Sequence, residues 1–313
     1  MSLVTATKDI HPKSVLIATD FSEASEKAFR HALAIARHYG AKLYLAHVVS
    51  PPASTLVGSD AVVTATDAAR TDASQWEDQL VQSGALAGLH HEIVARQGNV
   101  WEELEKVVRQ EQVNKWSWWS SAHTARRGLR KLLLGSVAEQ IFRHSECLVL
   151  TVGPGSLQEA PVESPSVVLP FLFATGFGEA SLLALPYAIS FANQYGAKLV
   201  LLHTLPAVPM PEGLNLPTAD DVMQMRENAR IASLWRLEEL VSPKTELAVK
   251  PEFVVEFGSP SEKILQTTET LVVDAIIMGL HRSTHIGTAS HMPWDTAYKV
   301  VCGAGCPVLT VRN

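Results

Sequence analysis

The chain has 313 residues, 47% hydrophobic and 19% charged, the balance of a globular protein and not of a disordered one, and long enough for two domains with a core each. A net charge of −6 argues against a protein that meets nucleic acid through a basic face, and three cysteines are too few for a disulfide scaffold and suit a reducing compartment. No run of about 18 apolar residues occurs and residues 1–13 hold no apolar signal core, so no membrane partner is expected and the expected location is cytoplasmic.

In chain order, Val15–Thr19 reads as a buried strand. Ser22–Tyr39 reads as a helix with Ala28, Ala32, Ile35 and Ala36 on one face, and Gly40 stops it as a C′ glycine does. Lys42–Val49 is a strand, Asp60–Ser83 a helix, Glu92–Arg96 a strand and Val100–Gln110 a helix. Val137–Arg143 is a further helix and Leu148–Val152 the last strand of this half. The order then begins again. Ala-Thr-x-Phe-x-Glu-Ala-Ser, Tyr-Gly-Ala-Lys-Leu and a late His recur at an offset of 156, and Cys147-Leu-Val-Leu-Thr-Val returns as Cys306-Pro-Val-Leu-Thr-Val. Such a repeat means two copies of one fold. The reading is domain one at 1–153, a Gly/Pro/Ser linker at 154–165 and domain two at 166–313. Strands alternating with helices predict an α/β class: two tandem doubly wound, Rossmann-like domains, each with a parallel five-stranded sheet. Ligands of such sheets sit at the carboxyl ends of the strands.

Candidate site residues follow from that geometry. Asp20 ends strand one, where a carboxylate can accept from an adenine amino group or a ribose hydroxyl; a loop carboxylate near a helix start is the plain alternative. Gly135-Ser136 precedes a helix, and a glycine, a hydroxyl and free N–H groups there can hold phosphate; an ordinary capped helix is the alternative. Arg126, Arg127, Arg130 and Lys131 supply cations just upstream.

Ala-Thr-Asp20-Phe-Ser, the His47-Val48 strand end and the run from Gly128 through Gly135-Ser136-Val137-Ala-Glu-Gln to Val152 resemble a universal stress protein domain. The resemblance covers residues 13–153 and, more weakly, 166–312, so the whole chain is similar to a tandem universal stress protein, of the adenine nucleotide alpha hydrolase-like fold. It implies an ATP or AMP ligand, with or without Mg²⁺, held by Ala18, Asp20 and Val48 on the adenine side and by Gly135, Ser136 and Val137 on the ribose and phosphate side. The family's Gly-x2-Gly-x9-Gly-Ser/Thr motif expects glycine at two further positions, where this chain has Ala122 and Ala125. The family also pairs through its last strands, which implies domain one against domain two or a homodimer.

The segment Asn114-Lys-Trp-Ser-Trp-Trp-Ser-Ser-Ala-His-Thr124 departs from expectation, because a strand buried on both faces should be continuously apolar. We read it as a pair of compensating frame shifts. Trp has a single codon, and a one-base shift permits Val-Glu-Leu-Val-Val-Val-Gly-Thr-His-Gly, the missing strand and glycine loop. An eight-base duplication over Glu111-Gln112-Val113 plus one base accounts for three extra residues: Gly98 to position 122 spans 24 residues and Gly258 to Gly279 spans 21. A TCN codon at Ser117 would sink this reading.

The second copy reads as degenerate. Gly176 stands for Asp20, Gly279-Leu-His-Arg282 for the first glycine pair, and Pro293 sits where only a first helical turn tolerates it. His281, Arg282, His285 and His291 read as a solvated loop, with an anion or metal site as the alternative; Cys302 and Cys306 have the spacing of a metal pair, although Cys147 stands alone at the place of Cys306. Site residues are therefore expected in copy one alone, with no catalytic residue and no metal ligand. The expected function is a stress-response regulator that binds adenine nucleotide, turning over ATP weakly at most. The alternatives are a slow ATPase or nucleotidyl or phosphoryl transferase, and a ligand-free interaction module.

Overall fold

The computed structural model describes residues 10–19, 21, 23–49, 71, 73–110, 118–122, 136–145, 147–153, 170–207, 218–241, 245–280 and 293–312. The chain divides into two units, one within 11–164 and one comprising 165–313 together with Ile10.

The first unit runs β1 (Ser14–Ala18), α1 (Glu23–Tyr39), β2 (Lys42–Val49), β3 (His91–Gln97), α2 (Val100–Gln110), β4 (Trp118–Ala122), α3 (Ser136–His144) and β5 (Val149–Val152). Within the expected Asp60–Ser83 helix, residues 73–82 are helical and most of the remainder lies outside the described residues. The described strands pair in the order β3-β2-β1-β4-β5, all parallel. Parallel strands buried on both faces need apolar side chains in succession, which Val15, Leu16 and Ile17 supply. Ala28, Ala32, Ile35 and Ala36 form the buried stripe of α1, and Leu104 and Val107 that of α2. Gly40 ends α1 at φ 61°, its N–H donating to the Arg37 carbonyl, a left-handed turn that a side chain resists.

The second unit runs β6 (Phe171–Ala174), α4 (Glu179–Tyr195), β7 (Leu199–Leu205), α5 (Ala219–Leu240), β8 (Glu252–Phe257), α6 (Pro260–Leu271), β9 (Ala275–Leu280), α7 (Pro293–Gly303) and β10 (Val308–Arg312). Its strands pair in the order β10-β9-β6-β7-β8, again parallel. Pro293 is the first residue of α7, the one place where its missing N–H costs nothing. Ile10 packs here with 1% exposure: its N–H donates to Ser190 Oγ at 3.1 Å and its carbonyl accepts from the Gln194 amide at 3.1 Å, both from α4.

One expectation needs correction. The Trp/Ser segment, read as unfit for a strand, forms β4. Val15, Leu16 and Ile17 pair with Trp118, Trp119 and Ser120 on one side, and Trp119 to Ala122 pair with Val149 to Val152 on the other. Ladder hydrogen bonds are made by the backbone, and two flanking strands in register outweigh a poor side-chain pattern. The register also places the surplus. Gly98 and Gly258 end equivalent strands, with N–H groups on the Val49 and Leu205 carbonyls, and differ by 160; the strand partners Trp118 and Ala275 differ by 157. Relative to the second copy, the three extra residues therefore fall between Gly98 and Trp118.

Candidate functional site

In each unit the strand order reverses beside the first strand, between β1 and β4 or between β6 and β9. The crevice outside the carboxyl ends of those strands is where open α/β sheets take ligands. Ala18 is the last residue of β1 and Ala122 the last of β4, so both reach this crevice. Val48 lies two residues past Ala46, the β2 partner of Ala18. Alternation along a strand puts Leu16 and Ala18 on one face, and Ala18 and Val48 both pack, half-buried, on a cluster containing Leu16, Tyr44, Leu104 and Ile141. Leu104 belongs to α2 and Ile141 to α3, so the two residues share the face those helices cover. Ser136 opens α3 on that face and Val137 follows in its first turn. Asp20, Ala125, Gly135, the Arg126–Lys131 cations and the histidine loop at 281–291 lie outside the described residues.

A turn at the end of β1 emerges from the structure as the best-built part of the site. Thr19 continues the ladder, its N–H donating to the Ala46 carbonyl at 2.9 Å. His47 Nδ1–H donates to the Thr19 carbonyl at 2.9 Å, since a carbonyl can only accept. The Phe21 N–H donates to Thr19 Oγ1 at 3.0 Å. Phe21 itself has φ 60°, a conformation that costs energy for a bulky side chain. Its ring stacks on His47 at 4.3 Å and on Trp76 at 5.2 Å, and Trp76 meets Phe29 at 5.3 Å.

The second copy repeats the turn. Phe177 has φ 60°, its N–H donates to Thr175 Oγ1 at 3.0 Å, His203 Nδ1–H donates to the Thr175 carbonyl at 2.8 Å, and the rings stack at 4.3 Å. Arg236 takes the outer place, its guanidinium 4.0 Å from the Phe177 ring. Burial, and then the Arg236 charge, hold His203 below the ordinary imidazole value against the opposing pull of the Thr175 carbonyl. The sequence signal for this device was the recurrence of Thr, Phe and His at one offset, with neither Phe nor His carrying chemistry that would have singled it out.

The slot of Ala122 has an unexpected constraint. Its equivalent is Gly279, and a Cβ there would run into the Ala180 carbonyl and come within 2.7 Å of the Ser181 nitrogen. Glycine at this strand end is thus demanded by the first turn of α4, the helix that follows the neighbouring strand β6, whatever a ligand requires. Gly176, by contrast, has open space where a Cβ would go.

Cys302 is half-buried, and burial followed by the Asp274 charge pushes the Cys306 thiol up to about 12. Among the described residues no group of three His, Cys, Asp or Glu could hold a metal ion, and no helix is long and apolar enough to cross a membrane.

The universal stress protein family matches the chain at residues 12–153 and again at 170–312. A universal stress protein of Methanocaldococcus jannaschii is 31% identical over 153 residues, 45% of this chain and 81% of that protein. The crystal structure of a universal stress protein from Archaeoglobus fulgidus is similar in fold with a TM-score of 0.65 at 18% identity, covering 96% of this chain and 98% of the other. A functionally unknown protein from Pseudomonas aeruginosa is similar with a TM-score of 0.59 at 15% identity, covering 96% and 92%. Two family matches in one chain, each spanning a complete α/β unit, mean that this chain belongs to the universal stress protein family and carries its domain twice.

Proposed function

We propose that the chain is a nucleotide-binding regulator of stress adaptation that holds ATP or AMP, with or without Mg²⁺, in its first copy. One observation carries this reading: Ala18, Val48 and the start of α3 share one sheet face at the strand-order switch. Ala18 and Val48 offer apolar edges for a base. Asp20 follows Ala18 by two residues and supplies the acceptor for the adenine amino group or a ribose hydroxyl. Gly135, Ser136 and Val137 bring backbone N–H groups and a hydroxyl to the phosphates. The phosphate half fits less well than the adenine half, because Ala122 and Ala125 carry methyl groups where the family motif has glycine.

The test is calorimetric titration with ATP and Mg²⁺ of the full chain, beside a full chain in which the Trp/Ser segment is rewritten as Val-Glu-Leu-Val-Val-Val-Gly-Thr-His-Gly. Saturable binding is expected in the rewritten chain, weaker binding in the original, and loss of about tenfold or more in affinity for Asp20→Ala, the worth of a charge-assisted hydrogen bond. Binding by neither chain would leave the ligand-free interaction module. Turnover of labelled ATP with release of phosphate would favour the slow ATPase instead.

A further inference from the structure

We infer that β3, the outer strand of the first unit, pairs antiparallel with β3 of a second chain of this protein and closes a two-fold homodimer. β3 stands at one end of the strand order, with β2 on its inner side. In a parallel ladder every second residue of an outer strand turns its N–H and carbonyl away from the neighbouring strand. The Leu43 N–H donates to the His90 carbonyl and the Gly98 N–H to the Val49 carbonyl, which fixes the phase: Glu92, Val94 and Arg96 bond to β2, and Ile93 and Ala95 face outward. Among the described residues no backbone group takes up the N–H or carbonyl of Ile93 or Ala95. An edge of this kind is a template for a further strand.

The residues of β3 select another β3 as that strand. When two such strands run antiparallel about a two-fold axis at Val94, Ile93 of each chain lies opposite Ala95 of the other. These are the outward residues, so they form the pairs that exchange N–H···O bonds in both directions. Glu92 of each chain then lies opposite Arg96 of the other, in the non-hydrogen-bonded pairs where side chains come closest. Both side chains have capacity for a further bond. The Glu92 carboxylate is 42% exposed and holds Lys42 at 2.7 Å through one oxygen, and the exposed Arg96 guanidinium donates to Gln110 at 3.2 Å. A two-fold contact closes on itself, so pairing stops at the dimer. The equivalent strand of the second copy, β8, opposes the same arrangement. Glu256 stands in the place of Arg96, so Glu252 and Glu256 would face each other with like charge. Pro251 stands in the place of His91 and has no N–H to give on the outward side. One edge is self-complementary and the other self-repelling.

The experiment follows the full chain by sedimentation velocity up to about 100 μM, in the range of weak association, at low and at high salt. A monomer–dimer equilibrium is expected, weakening as salt rises. Arg96→Glu copies the second edge and should weaken association about tenfold or more, as the attractive cross-strand pairs turn repulsive. Glu92→Arg should do the same. An equimolar mixture of these variants should dimerise again, because each then carries a single sign at both positions and the signs are opposite. Ala95→Pro removes an outward N–H that β2 does not use and should abolish the dimer with little change in melting temperature. Val255→Pro, its counterpart in β8, should leave the dimer intact. A parent chain that stays monomeric throughout overturns the proposal. So does a dimer that neither Arg96→Glu nor Ala95→Pro disturbs, which would belong to another surface. Charge variants that melt near the parent temperature yet stay apart when mixed overturn it as well.

Discussion

His31 lies on α1 with 7% of its surface exposed, and burial pushes its imidazole down to about 4. The unfolded chain takes up this proton near 6.5 and the folded chain only near 4. Between those values the unfolded state binds more protons, so the stabilisation is complete above the unfolded value and drains away as pH falls through the folded one. The whole span is on the order of 3 kcal/mol. The second copy has Tyr187 at the matching position. His31→Tyr should therefore flatten the acid-side fall in melting temperature between pH 6.5 and 4; an unchanged slope would mean that other groups drive it. At this scale the sequence was legible where a residue type implies chemistry and silent where it implies shape. Asp20 and Ser136 stood out because carboxylates and hydroxyls bind things. Phe21 and His47 matter through a backbone dihedral and a bond to a main-chain carbonyl, which no residue type announces.

Helices and strands were far easier to read than the contacts between them. Lys42–Val49 and Val100–Gln110 match their expected bounds because period and punctuation agree there: an apolar run between Gly40 and Pro51, and a stripe closed by Gln110. Trp118–Ala122 was misjudged because its composition was weighed without the two strands that would receive it. The glycine demand beside it is a tertiary fact. Ala180 lies about a hundred residues from Gly279 in the chain, and only folding brings the α4 carbonyl against the β9 backbone. Gly279→Ala should thus destabilise the second unit by about 2 kcal/mol, as overpacking against backbone does, measured by urea unfolding. A change under a few tenths of a kcal/mol would show that α4 simply shifts aside. The same measurement on Ala122→Gly asks the converse question of the first copy, which already carries the methyl group.

Across the whole molecule the duplication is plain from the sequence, and the division of labour between its halves rests on what each kept. Both keep the first-strand turn, and one keeps a carboxylate in it. ATP should accordingly bind with a stoichiometry near one per chain. Gly176→Asp would return a carboxylate to open space in the second copy, yet that copy still lacks a Gly-Ser phosphate element, so the calorimetric stoichiometry should stay near one. A value near two for the unaltered chain would show that the second copy binds by other residues and would end the division proposed above.

The seat of Ile10 on α4 bears on how such a chain can be inherited. The first family match begins at residue 12, so a gene fragment trimmed to that match discards a residue that the other half has adopted. A recombination event that carried off residues 165–313 alone would take Ser190 and Gln194 without the backbone they grip, and would open an apolar socket to water. Cut out at residue 165, the second copy would lose the buried Ile10 and its hydrogen bonds to Ser190 and Gln194.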